Sequence, residues 1–158
     1  MIRVQREDFD VGAELGALAG GNRNIGGVAC FVGLVREIAG DAAIGAMTLE
    51  HYAGMTEKKL AEIEAEARRR WPLDACLVIH RYGRLEPGER IVMVATASAH
   101  RRAALEACEF LIDWLKTKAP FWKQEETAEG SRWVEARDSD DAAAERWEQT
   151  APASKKAG

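Results

Sequence analysis

The segment Asp113 to Glu125, DWLKTKAPFWKQE, sets Lys116, Lys118 and Lys123 among large apolar side chains around a proline that ends a helix. An ammonium wedged beside Leu115, Phe121 or Trp122 sheds water, and desolvation of that kind turns an amine toward nucleophilic use. Lys116 and Lys123 are the candidates for such chemistry. The alternative is that both stems lie along the surface with their heads in water, and pattern alone favours it. His100, Arg101 and Arg102 open a predicted helix, where cations oppose the positive end of the helix dipole. A bound anion would give that placement a reason, because free backbone N–H groups and two guanidinium forks converge there. An exposed, salt-screened helix start balances that reading. Arg36, closing the run GGVACFVGLVRE, is a further cation of this kind, although an ordinary surface arginine is the better reading of it alone.

These residues need elements to position them. Val28 to Val35 and Ile44 to Tyr52 read as strands separated by the turn at Gly40 and Asp41, which predicts an antiparallel pair. From Thr56 as cap, Leu60, Ile63, Ala67 and Trp71 recur at helical spacing until Pro72, and the charged opposite face reads as solvated surface. Ala75 to Tyr82 and Arg90 to Ser98 flank GRLEPGE, a second predicted hairpin. With Ser98 as cap, Ala103 to Leu115 keep one buried helical face to about Lys118, and Ala119-Pro120 ends the helix, placing Lys116 in its last turn. A short strand is expected over Arg132 to Ala136. From Ser139 onward the chain turns polar and alanine-rich, and disorder is expected there, with the single domain drawn over 1–147 and the tail over 148–158. The sum is an α+β domain, mainly antiparallel, with two main helices.

Other chemistries find no support. A net charge of −4 over 158 residues excludes a general nucleic-acid binder. No apolar run is long enough for a membrane helix and the charged start MIRVQREDFD is no secretory signal, so a cytoplasmic chain is expected. Cys30, Cys76 and Cys108 are odd in number, widely spaced and set in apolar patterns, and they read as buried thiols. His51, His80 and His100 lack metal-ligand spacing, so no metal is expected. The glycines of LAGGNRNIGG match neither phosphate-loop pattern. His100 and Lys116, sixteen residues apart on one predicted helix, are separated by roughly 24 Å. If both serve one small-molecule site, a two-fold dimer solves the geometry, the helix start of one chain facing the helix end of the other.

The stretches FVGLVRE, MTLEHYAGMTEKKLAEIEAEARRRWPL, VIHRYGRLEPGE, SAHRRAALEAC and DWLKTKAPFWKQE together resemble the large, catalytic subunit of molybdopterin synthase, in that family's order and spacing, up to about Trp147. The resemblance implies a hammerhead-like α/β arrangement and a sulfurtransferase. Such enzymes move sulfur from the C-terminal Gly-Gly thiocarboxylate of a small ubiquitin-like subunit to cyclic pyranopterin monophosphate, making the dithiolene of molybdopterin. It further implies a homodimer within a heterotetramer, and no resident cofactor. By motif, Lys116 corresponds to the lysine at the thiocarboxylate tail and Lys123 to the second functional lysine, with Gln124 and Glu125 completing the substrate-lining stretch. Lys118 corresponds to a position of general positive charge. Leu34, Val35 and Arg36 correspond to the strand-end substrate site. His100 and Arg101 correspond to a pair holding pterin or phosphate from the neighbouring chain, and Arg137 to a residue aiding the tail or phosphate. Leu34 departs from the polar residues that can stand at its position, so contact there would come from backbone. Two rival readings are a non-catalytic adaptor for a ubiquitin-like protein, against which a buried Lys116 would argue, and a lysine Schiff-base enzyme.

Overall fold

Two long apolar runs form the centre of the molecule, which a computed structural model describes for residues 1–135 and 138–150. β5 (Ala75–Arg81) and β7 (Arg90–Ser98) pair antiparallel, as the predicted hairpin requires, with Ala75 opposite Ala97 and His80 opposite Val92. β1 (Ile2–Gln5) joins β5 in parallel and β2 (Gly27–Leu34) joins β7 antiparallel, giving the order β1-β5-β7-β2. Both faces of this sheet are covered, which is why β5 and β7 are apolar on successive residues rather than alternate ones. Helices α2 (Met55–Arg70) and α3 (Arg101–Lys118) cover one face through Leu60, Ile63, Phe110 and Leu111. The other face, with Phe9, Leu77, Ile79 and Met93, is closed by α1 (Val11–Ala19).

A second sheet has the order β3-β4-β8-β9, formed by β3 (Ile38–Ala39), β4 (Ala42–His51), β8 (Phe121–Thr127) and β9 (Gly130–Val134). The short β6 (Gly83–Leu85), inside the predicted GRLEPGE connection, pairs with β4. The fold is therefore α+β and mainly antiparallel, as the sequence indicates, but with four described helices rather than two.

Several expectations are corrected. The predicted first hairpin does not form: β2 pairs with β7, while β4 pairs with β3, β6 and β8. Apolar alternation identified both strands but carries no information about which partner completes each ladder. Thr56 is not a cap. It sits inside α2, fully buried, and its Oγ1 donates to the Pro120 carbonyl at 3.2 Å, while Gly54 takes the cap position with φ of 82° and donates its N–H to Glu57. Ser98 likewise yields the cap of α3 to His100, its own hydroxyl donating to the Pro72 carbonyl. Cys76 and Cys108 are buried, but Cys30 is exposed on β2, the edge strand of its sheet.

The largest correction lies beyond Ser139. Asp138–Gln149 form helix α4, whose Trp147 packs edge-on to Trp71 and Phe110 at centroid distances of 5.6 and 5.7 Å. Arg70 donates to the Trp147 carbonyl at 2.6 Å. Only Ala144 and Trp147 of this helix are buried, and ion pairs of Arg146 and Glu148 with α3 do the rest, so no apolar stripe was there for periodicity to find. Residues 151–158, the remainder of the expected disordered tail, lie outside the described residues. No helix among the described residues is long and apolar enough to cross a membrane.

Candidate active site

Helix α3 runs back along β7, and two contacts set its level. The Thr96 hydroxyl donates to the Ala104 carbonyl at 2.7 Å, and the Cys108 thiol reaches the Val94 carbonyl at 3.8 Å. Two residues of strand thus match four of helix, about 6.6 Å against about 6 Å. Continued at that rate, Arg90 stands level with Lys116. Leu34 pairs with Arg90, so Leu34, Val35 and Arg36 lie at the Lys116 end of the sheet. The opposite end is pinned just as tightly. A Cβ on Gly26 would lie 2.1 Å from the Ala99 carbonyl oxygen, so only glycine lets β2 begin against the approach to α3.

Lys116 occupies the last turn of α3, as expected, and Ala119, in extended conformation before Pro120, ends the helix. Its apolar burial is not observed. The Lys116 side chain is 49% exposed, with Nζ 3.9 Å from Asp140 Oδ1 on α4, and the buried residue is its neighbour Leu115. Lys118 is drawn toward α4 as well, bonding Glu148 and lying over the Trp114 ring at 4.6 Å.

Past Pro120 the chain enters β8 (Phe121–Thr127), a strand the sequence pattern did not indicate. Phe121 faces His51 of β4, and Lys123 lies opposite Leu49 and Val134. Alternation puts Phe121, Lys123 and Glu125 on one face of β8, with Trp122 and Gln124 on the other. Glu125, 5% exposed, is ion-paired to Arg132 at 3.1 Å, whereas Gln124 pairs in register with Thr48 and Trp133. Gln124 and Glu125 therefore present side chains to opposite surfaces. Behind Lys123 lies His80, which sequence reasoning passed over. Its ring stacks on Phe121 at 3.7 Å, and burial above all, with the nearby Lys123 and His51 charges, pushes its pKa down to about 4.

Val35 is buried at 3% and exchanges backbone hydrogen bonds with Glu89 and Gly88, while Leu34 and Arg36 are exposed. Arg36 sits in the loop just after β2 rather than on the strand. At the far end of α3, His100 and Arg101 are exposed and their side chains have no hydrogen-bond or ion-pair partner among the described residues, whereas Arg102 is paired with Glu106 at 2.7 Å. Arg137 lies outside the described residues. One protomer thus carries Lys116 at one end of α3, with Arg36 just past the same end of β2 and Lys123 seven residues on along β8, and leaves His100 and Arg101 at the other end of the helix. Each group can bind anions, and the lysine end adds two flexible amines. Among the described residues no cluster of three or more His, Cys, Asp or Glu could hold a metal ion. The buried thiols are unsuited to attack, since burial pushes Cys76 and Cys108 up to about 12.

Residues 4–118 match the family model described as MoaE protein. The molybdopterin synthase catalytic subunit of Pseudomonas aeruginosa is 60% identical over 148 residues, covering 94% of this chain and 99% of that protein. The structure of the molybdopterin biosynthesis MoaE protein from Burkholderia ambifaria has a TM-score of 0.80 at 55% identity, covering 94% of this chain and 97% of that one. A protein–protein complex of subunits 1 and 2 of molybdopterin-converting factor from Helicobacter pylori contains a similar chain with a TM-score of 0.71, covering 86% of this chain and 91% of that one, where 21% identity carries the fold alone. A family model spanning most of the chain and a relative 60% identical along nearly its whole length place this chain in the MoaE family, that of the catalytic subunits of molybdopterin synthase.

Proposed function

We propose that the chain transfers sulfur from the C-terminal thiocarboxylate of a small ubiquitin-like subunit to cyclic pyranopterin monophosphate, forming the molybdopterin dithiolene. The observation that carries this reading is Lys116, half-exposed in the last turn of α3 with Lys123 following it on β8, in a chain of the MoaE family. A phosphate-bearing substrate and a carboxy-terminal tail are both anionic and both need cations. When sulfur attacks the substrate side chain, negative charge builds on the departing oxygen, and a positioned ammonium stabilises it. Half-exposed Lys116 is reachable by an incoming tail, as the surface-lying stem favoured by pattern allows, and the burial that would have argued against an adaptor is absent. His100 and Arg101 hold substrate phosphate from the neighbouring copy in a two-fold dimer, because one helix cannot bring its two ends together. The relative from P. aeruginosa, 60% identical, is named a catalytic subunit, which supports a separate partner subunit here.

The test is dithiolene formation from cyclic pyranopterin monophosphate by the purified chain with thiocarboxylated small subunit, comparing wild type with Lys116→Ala. Product from wild type with near-complete loss in the variant supports the assignment. An adaptor would instead lose affinity at most, and a well-folded, partner-bound wild type that yields no product would leave the adaptor reading in front.

A further inference from the structure

His80 is a buried titratable group with no assigned part in sulfur transfer, yet the fold sets it against the segment that carries both lysines. It lies at the Lys116 end of β5, 5% exposed, in register with Val92. Its Nδ1 is 2.8 Å from the Arg81 carbonyl oxygen, and a carbonyl only accepts, so Nδ1 carries the proton and donates. The neutral ring keeps its lone pair on Nε2. Its face stacks on Phe121, with centroids 3.7 Å apart and planes 18° from parallel. Phe121 also neighbours His51, which packs on Tyr82 at 4.3 Å.

Phe121 is the residue through which this cluster meets the chemistry. It follows Lys116 by five positions and precedes Lys123 by two, on the same face of β8 as Lys123. The turn between the lysines is held at two points: the Thr56 hydroxyl binds the Pro120 carbonyl at 3.2 Å, and His80 clamps Phe121. A leucine would fill the same space in this apolar strand without burying a polar group but offers no flat face to stack on Phe121, so a ring at this position has a use beyond packing. We propose that His80 is a positioning residue for sulfur transfer: its ring, fixed between the Arg81 carbonyl and Phe121, sets the start of β8 and so the place of the Lys123 ammonium relative to Lys116. This rests on the sulfur-transfer reading above, and neutrality of the ring keeps a second cation away from Lys123.

The experiment compares wild type, His80→Leu and His80→Phe in the full chain with thiocarboxylated small subunit and cyclic pyranopterin monophosphate. It measures kcat, KM and partner affinity, and the acetylation rate of Lys123 by acetic anhydride, read by mass spectrometry. A displacement of about 1 Å costs on the order of 100-fold, so His80→Leu is expected to lose about 10- to 100-fold in kcat with KM and partner affinity within about twofold. Lys123 acetylation should change in the same variant, and His80→Phe, which restores a stacking ring, should recover kcat to within about threefold of wild type. Full kcat in folded His80→Leu, failure of His80→Phe to recover, or unchanged Lys123 acetylation would each overturn the proposal. Lys116→Ala in the same assay separates the two readings. If wild type makes no product, sulfur transfer fails as the function; if wild type is active, Lys116→Ala is inactive and His80→Leu is fully active, only the role of His80 fails.

Discussion

Acidification from pH 6.5 to about pH 4 is predicted to weaken folding through His80 by about 3 kcal/mol, an effect that His80→Phe abolishes. In the unfolded chain the imidazole takes up a proton as pH falls through 6.5, whereas in the folded protein burial keeps it neutral down to about 4. Between those values the unfolded state binds more protons, so stability falls as pH falls. The contribution is fully present above pH 6.5 and gone by about pH 4, and each pH unit in that window is worth about 1.36 kcal/mol. Urea unfolding followed by the fluorescence of the five tryptophans, at a series of pH values for both proteins, measures it. His80→Phe also orphans the Arg81 carbonyl and so shifts stability at neutral pH, which makes the difference in pH slope, not the absolute value, the quantity to read. Carboxylates act lower and equally in both chains; Asp8, held at about 2 first of all by its hydrogen bond from Arg90, is one. Parallel curves for wild type and variant between pH 6.5 and 4 would refute the burial argument.

Lys116→Ala and Lys123→Ala should each lower turnover by about 100-fold or more while partner binding, measured by calorimetry, is retained. Loss of binding in step with turnover would indicate attraction rather than chemistry. Lys116→Ala mixed with Arg101→Ala should regain about a quarter of wild-type activity, since half of randomly formed dimers are mixed and each mixed dimer holds one intact composite site. No recovery after verified subunit exchange would place both residues in one protomer's site. Trp147→Ala should cost about 3–5 kcal/mol and free α4, seen as a lower urea midpoint and faster proteolysis near residue 140. Wild-type stability in that variant would show that α4 is not held by its buried tryptophan.

What sequence made legible follows from the range of the interactions involved. Helices α2 and α3 show in their apolar periods, and Pro72 and Ala119-Pro120 mark their ends, because those signals are local. Strand pairing is not local: β4 reaches across some 75 residues to β8, and nothing in either strand names the other. Caps failed for a related reason. Thr56 and Ser98 donate their hydroxyls to the Pro120 and Pro72 carbonyls, far along the chain, and Ser98 keeps only a 3.5 Å contact from the His100 N–H at the start of its helix. At the site, residue types pointed to Lys116 and Lys123, and pattern favoured the exposed head that Lys116 shows, but the approach of Asp140 depends on α4, which was invisible. His80 was hidden because a histidine inside an apolar strand gives no sign of what stacks on it.

The two ends of α3 are chemically unlike, and that difference bears on how the site is assembled. At the helix end the cations have counter-ions within the chain: Lys116 has Asp140, and Lys118 has Glu148. At the helix start, Arg102 has Glu106, but no described residue answers the Arg101 guanidinium or the neighbouring His100 ring, although the dipole there makes an uncompensated cation least favourable. A protein that bound its substrate phosphate wholly at the lysine end would have no physical use for that arrangement. Under the proposed function, a dimer that sets one chain's helix start against the other's helix end would give the Arg101 guanidinium and the His100 ring an anion to hold, and would divide phosphate recognition and sulfur transfer between two chains so that neither acts on substrate alone.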